Sequence, residues 1–495
     1  MNKIARRAFL LGAGGLTGWS MAKLLRGQLP VYDGTRRFIT KTGVDFLNDA
    51  SGLSGTPIYK HIIIKDDPGE TLIAALRAEM KVAKDDDRPF CIGAARHTMG
   101  GHAIPRDGHA ITFENASVEP DTSSGVYQVH AGARWSDVIA ALDPLGWSPK
   151  VMQSNNDFGV ASTFCVNAHG WPVPYGPMGS TVRSLRMILP SGDLVTCSPS
   201  ENSDLFNLAM GGYGLVGAIV DLEVEMVRNT RLLPTFTQMP VSQFSAAFDA
   251  ATKDPKVTMA YGRLNVDRAS FFTQALLVTY RETENQTDIP AATGSGPMAH
   301  LASRLYRRQL GNEAIKSFRW WNETSVGPKI GGGETTRNSL INEPVVTLDD
   351  RDPNRTDILH EYFVGFDHFN DFVTACQEVI PASYQEFLNV TLRYIAPDTQ
   401  STLSYAPVAR IAAVMSFSQE LTARAEADMQ RMTRELVDRM IAIDGTYYLP
   451  YRPHLTSDQL VAAYKQAPAF VQAKRQIDPD LVLRNNFWDR YLNAL

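Results

Sequence analysis

The chain has 495 residues, which sets an expectation of about two to four domains or one elaborate fold. With 44% hydrophobic and 20% charged residues, it can bury sizeable cores and is not a disordered chain. Its 48 basic and 53 acidic residues leave a net charge of −5, which excludes a protein held to nucleic acid by overall charge. Four cysteines exclude a disulfide-built scaffold.

The N-terminus reads as a targeting signal over residues 1–30. Lys3, Arg6 and Arg7 precede an uncharged run over residues 8–22. That run is shorter than the ~20 apolar residues of a membrane span and suits a signal-peptide core. Arg6-Arg7 with Phe9-Leu10 resembles a twin-arginine export signal, which implies the matching export machinery and an exported, periplasmic protein. No A-x-A cleavage site follows, so an uncleaved N-terminal anchor is the alternative to removal. No other membrane segment is expected. Folding before export predicts that Cys91, Cys165, Cys197 and Cys376 stay thiols.

Residues 31–55 have loop character. Residues 61–64 predict a β-branched strand, and 69–84 carry Leu72, Ala75, Leu76, Met80 and Ala83 at helical spacing. Residues 89–93 predict a second buried strand, giving a small α/β unit. Residues 111–113 and 126–130 read as strands. Residues 135–145 read as a helix starting near Ser136 or Asp137. Pro190-Ser191-Gly192-Asp193 between 185–189 and 194–196 is a hairpin signal. Beyond residue 230 the pattern predicts strands near 257–281, 357–365, 387–396 and 408–417, and helices at 369–380, 423–443 and 457–466. Residues 283–345 predict loops and short helices, interrupted by a basic cluster at 304–308. This cluster is too short to suggest nucleic-acid binding.

Three glycine-bearing clusters carry the chemistry. Gly93 to Gly101 forms a turn after a strand, where consecutive N–H groups can cradle a diphosphate. The 25 residues from 158 to 182 contain no formal charge, and their glycines and prolines forbid a membrane helix. Irregular buried backbone of this kind needs partners for its polar groups, which a ligand supplies. The third cluster, Gly211 to Gly217, leads into a strand over 218–227.

In order, ARHTMGG (95–101), GARWSDVIAAL (132–142), FGVASTFCVNAHG (158–170), MGSTVRSLRMILPSGDLVTCS (178–198) and SDLFNLAMGGYGLVGAIVDLEVEM (203–226) resemble the FAD-binding, PCMH-type domain of the vanillyl-alcohol oxidase flavoprotein family. The resemblance covers residues 56–230. It implies an α+β fold: a two-subdomain FAD-binding domain, an α+β cap with an antiparallel sheet over 231–445, and a C-terminal segment, 446–495, returning to the FAD domain. It implies FAD contacts at Ala95, Arg96, His97, Thr98, Met99, Gly100 and Gly101, along Asn155, Gly159, Ser162, Thr163 and Gly170, and at Gly217 and Ile219. His97 stands where many members tether the flavin covalently. The other reading is a hydrogen-bonding histidine beside noncovalent FAD.

In the cap, strand alternation places Asn389, Thr391 and Arg393 on one face. Glu361 alternates with apolar neighbours, and Glu361 with Arg393 reads either as an ordinary ion pair or as a polar floor for a hydroxylated substrate. EYFV (361–364), LRYIAPD (392–398) and Tyr451-Arg452-Pro453-His454 resemble segments of the alditol and sugar-lactone oxidase branch. This implies oxidation of a CH–OH group on a small sugar, polyol or lactone-like substrate, with hydride passing to flavin N5. Glu361 or His454 is then the base, and Arg393 the charge stabiliser. Oxygen or another acceptor reoxidises the flavin. The alternatives are a dehydrogenase for an amine or lipid-linked sugar, and an exported flavin-binding protein without turnover. The ten histidines show no metal-site spacing.

Overall fold

The structure, a computed structural model, describes residues 46–294, 305–330, 332–345 and 354–495. The targeting segment, Arg304 and part of the expected loop region lie outside them.

Three β-branched residues in Lys60–Ile64 and the apolar Phe90–Ile92 build a parallel sheet. His109–Phe113 lies between them. The helix Glu70–Asp85 is the crossover from the first strand. It buries Leu72, Ile73, Leu76, Met80 and Ala83. Each larger side chain among them contributes about 1.5–3 kcal/mol of apolar burial. The chain's end returns here. Leu483 bridges Phe90 in parallel, and Phe90 N donates to Val482 O at 2.7 Å.

A second sheet is antiparallel. Its path runs Leu194–Cys197, Val182–Ile188, Ala218–Arg228, Val126–His130, Val118–Asp121, with Trp147–Pro149 also on Ala218–Arg228. The predicted hairpin is present: Ile188 pairs with Leu194, and Gly192 takes φ +90°, a conformation costly to other residues. The helix predicted over 135–145 is Trp135–Leu142, followed by a 3-10 turn, Asp143–Leu145, with Pro144 in it. Arg134 is its N-cap, and Asp137 accepts from Arg134 N at 2.7 Å, so Asp137 sits inside the first turn. The helix predicted over 457–466 stops at Ala463. A new one, Ala467–Ile477, begins with Pro468, whose ring suits a first turn and not a helix interior.

The third sheet has eight antiparallel strands. Their order is Thr335–Thr336, Arg231–Pro240, Gln274–Glu282, Val257–Leu264, Glu386–Ile395, Arg410–Glu420, Arg355–Val364, Thr446–Tyr447. The alternate residues Gly262 and Leu392 face a helical layer. A Cβ on Gly262 would come within 2.3 Å of Phe244 Cζ, so glycine lets the helix Phe244–Thr252 settle on the sheet. The opposite face looks toward the other two sheets. Among the described residues, no helix is long and apolar enough to cross a membrane.

Candidate FAD and substrate site

A cavity of about 570 Å³ is enclosed between the loops of the first two sheets and the polar face of the third. This lies in the usual range for ligand sites, about 300–1,000 Å³.

At one end the chain leaves Phe90–Ile92 and turns sharply. Gly93 N donates to Ile111 O at 2.8 Å, and Met99 N to Pro450 O at 2.8 Å. Between them, the N–H groups of Ala94, Ala95, Arg96 and Thr98 form no hydrogen bond among the described residues. Arg96 has φ 54°, in the left-handed region. A left-handed residue among right-handed ones gathers successive N–H groups into an anion-binding concavity. The Thr98 hydroxyl is buried without a partner among the described residues. Row, twist and hydroxyl together fit a diphosphate. The Arg96 guanidinium turns away, donating to Thr112 Oγ1 at 3.1 Å and Ala103 O at 3.3 Å, and burial lowers its pKa to about 10.

His97 stacks on Phe158 with ring centroids 4.1 Å apart, and its Nε2 is 3.8 Å from Asp157 Oδ2. Burial, reinforced by the Arg134 charge, pushes its pKa down to about 3, so the ring is neutral at physiological pH. Gly159 brings the next loop close: a Cβ there would lie 2.9 Å from Ala94 Cβ. The uncharged stretch divides in two. Its first half supplies Phe158, Gly159, Ala161, Ser162, Thr163 and His169 to the cavity wall. In the second half, Trp171 packs edge-on against Tyr261 and Tyr280.

The floor is one face of the eight-stranded sheet. Arg263, Thr391, Val414 and Glu361 are successive cross-strand neighbours, and all four line the cavity. Asn389 and Arg393 join them, as the alternation predicted. Glu361 is 2% exposed. His169 Nε2 lies 2.5 Å from its Oε1, and the Tyr451 hydroxyl donates to Oε2 at 3.3 Å. A carboxylate only accepts, so Nε2 carries the proton in this pair. His169 Nδ1 has no partner among the described residues. Arg393 donates to the Ser154 hydroxyl and, at 3.4 Å, to His169 O. The ordinary Glu361–Arg393 ion pair is therefore not formed.

Ala95, Arg96, His97, Thr98, Asn155, Gly159, Ser162, Thr163, Gly217, Ile219, Glu361 and Arg393 line this one cavity. Five expected residues do not. His454 is turned outward: Nε2 meets Glu426 Oε1 at 2.9 Å and Nδ1 meets Thr433 Oγ1 at 3.2 Å. With both nitrogens engaged behind the wall, it is no base for this cavity. Burial lowers His454. Burial would raise Glu426, but hydrogen bonding from His454 and the Arg452 charge hold that carboxyl well below its usual range. Met99 turns its sulfur to Leu359 N (3.2 Å), and Gly101 N donates to Asp49 Oδ2 (2.8 Å). Gly100 and Gly170 are packed against protein. A Cβ would meet His102 Cε1 at 2.6 Å on the first, and Met152 O at 1.9 Å on the second.

Sequence reasoning missed His169, Tyr451, Ser154 and Arg263 as site residues. His169 stood in a quoted motif, and Tyr451 is three residues from the histidine chosen in its place.

The N–H row, the glycine-bound loops and the polar floor fit a protein that binds a dinucleotide beside a polar small molecule. Over residues 71–198 the chain matches a family model described as an FAD binding domain. It is 30% identical over 149 residues to cytokinin dehydrogenase 9 of Oryza sativa subsp. japonica, covering 28% of each chain. It is 35% identical over 107 residues to D-arabinono-1,4-lactone oxidase of Yarrowia lipolytica, 21% of this chain and 20% of that one. These two matches span less than a third of the relatives' own lengths. A decaprenylphosphoryl-beta-D-ribose oxidase of Mycolicibacterium smegmatis is 21% identical over 469 residues, 87% of this chain and 94% of the relative.

Proposed function

We propose that this protein is an FAD-dependent oxidoreductase that oxidises a CH–OH group of a small hydroxylated substrate. One observation carries the reading: a single cavity joins the N–H row of Ala94, Ala95, Arg96 and Thr98 to the buried Glu361–His169–Tyr451 cluster. In this reading the N–H row holds the diphosphate, and Gly159, Ser162, Thr163, Gly217 and Ile219 line the rest of the dinucleotide. These residues would hold FAD, whose contribution would be hydride-accepting chemistry. Glu361 takes the hydroxyl proton, His169 and Tyr451 hold its carboxylate, and Arg393 supplies positive charge beside it. The parallel and six-stranded sheets make the two FAD subdomains, residues 231–445 the cap, and 446–495 the closing segment. The return of Leu483 to Phe90 supports that division.

Anaerobic addition of sugars, polyols and lactones to the purified yellow protein tests the reading, followed by air. Bleaching by one of them is expected, and return of colour in air separates an oxidase from a dehydrogenase. Bleaching by dithionite alone would favour a binding protein without turnover. A lipid-linked sugar is the second reading, because the mycobacterial relative's similarity runs along 87% of this chain. A polyprenyl-phosphoryl pentose therefore belongs in the screen, with amines as the other arm.

We also propose that His97 tethers the FAD. Its neutral, buried ring lines the cavity with Phe158 behind it. Acid-precipitated protein should keep its yellow colour; a white pellet with free FAD above it would show a noncovalent cofactor.

A further inference from the structure

Among the described residues, two guanidinium groups on the cavity floor lie within ion-pair distance of no carboxylate. Arg263 and Arg393 share one face of adjacent strands, on either side of Thr391. Arg263 Nη1 donates to Thr391 Oγ1 at 2.6 Å, and its guanidinium carbon lies 5.4 Å from the Tyr261 ring centroid. Arg393 reaches only the Ser154 hydroxyl and His169 O, and its Nε is buried without a partner. Among the described residues, neither arginine forms an ion pair. None of the cavity's acids pairs with either arginine. Glu361 is held by His169 and Tyr451, and Glu323 by Arg319 Nε at 2.9 Å. Glu343 also lines the cavity, on the loop wall, and forms no ion pair with either arginine.

Hydroxyl groups of a neutral sugar would satisfy some of these N–H donors but bring no anion to Arg263, and would leave Arg393 with only the Glu361 charge nearby, beyond ion-pair distance. Both arginines are partly buried; cations withdrawn from water are costly unless an anion faces them, and the guanidinium fork matches a carboxylate or phosphate in two-point contact. Burial lowers the pKa of Arg393; the Glu361 charge nearby opposes that lowering, and the Arg263 charge adds to it. Resting on the reading that this end of the cavity holds substrate, we propose that the substrate carries an anionic group, a carboxylate or a phosphate, seated between Arg263 and Arg393.

The test titrates the FAD-loaded protein with acetate, inorganic phosphate and ribitol, read by calorimetry and by the flavin difference spectrum. Saturable binding of acetate or phosphate is expected, and which of the two binds tells a carboxylate from a phosphate. Arg263→Gln should weaken that anion by about tenfold or more, the size of one lost charge-assisted contact. Arg263→Lys, which keeps the charge, should retain most of the binding, and ribitol should respond to neither change. Absence of saturable binding by both anions, or equal affinity in Arg263→Gln, overturns the proposal. A protein purified colourless would instead overturn the flavin reading, so the two failures are distinguishable.

Discussion

Glu361→Gln slows substrate-driven bleaching of the flavin by about 10²- to 10⁴-fold, the contribution of a positioned general base, while the protein keeps its FAD. Glutamine preserves the shape of a side chain that is 2% exposed, so the floor of the cavity keeps its packing. It still offers one oxygen to the Tyr451 hydroxyl or His169 Nε2, which now lie 3.3 and 2.5 Å from the two carboxylate oxygens. What it lacks is the ability to take a proton. The nitrogens of the rejected base, His454, are engaged by Glu426 and Thr433, so it does not substitute. The measurement is stopped-flow reduction without oxygen, using whichever substrate bleaches the wild type. A rate within about threefold of wild type, below the range expected for a general base, would remove Glu361 from the chemistry and leave His169 as the next group to test.

Local signals announced local features well. Pro190-Ser191-Gly192-Asp193 specified a hairpin because its turn conformation is a property of those residues alone. Alternation along Glu386–Ile395 put Asn389, Thr391 and Arg393 on one face because the strand period is two. The pairing of His169 with Glu361 had no such signal. It joins residues 192 apart in sequence, and it exists because the loop after Val160–Cys165 lies over the row Arg263–Thr391–Val414–Glu361. That row depends on register across four strands, which distant turns and packing set. The same limit explains His454. Its motif marked the right segment, but which side chain faces the cavity depends on the course of the backbone over 451–454. Tyr451 faces in, while Arg452 and His454 turn to Glu426. Gly100 and Gly101, expected at the FAD, do not line the cavity, for a related reason. Both glycines permit close packing against protein, from His102 and Asn486, and close approach by protein or by ligand leaves the same residue in the sequence.

The second large effect lies where the chain closes on its own first sheet. Asp478→Asn is expected to destabilise the protein by about 3–5 kcal/mol at neutral pH, the usual loss when one member of a buried ion pair is removed. Lys474 and Asp478 are bonded one turn apart at the end of Ala467–Ile477, with side chains 0% and 1% exposed. Asp478 also accepts from Val482 N at 2.9 Å and Leu483 N at 2.8 Å, and these two residues meet Phe90 on the parallel sheet. Asparagine offers one acceptor oxygen where aspartate has two and leaves the Lys474 ammonium buried without its anion. Burial already lowers Lys474 to about 8, and Asp478 is what opposes that lowering. Without it the folded-state pKa falls below 8, while the unfolded chain keeps an ordinary lysine near 10.4. Between those values the unfolded chain binds more protons, so stability rises with pH, and in the variant that rise begins at lower pH than in the wild type. The deficit of Asp478→Asn relative to wild type is therefore larger at pH 6 than at pH 9. Urea unfolding of both FAD-loaded proteins at the two pH values reads it directly. A deficit that stays constant or grows with pH would mean that Lys474 is already neutral in the wild type and that the lost N–H contacts of Val482 and Leu483 account for the whole effect.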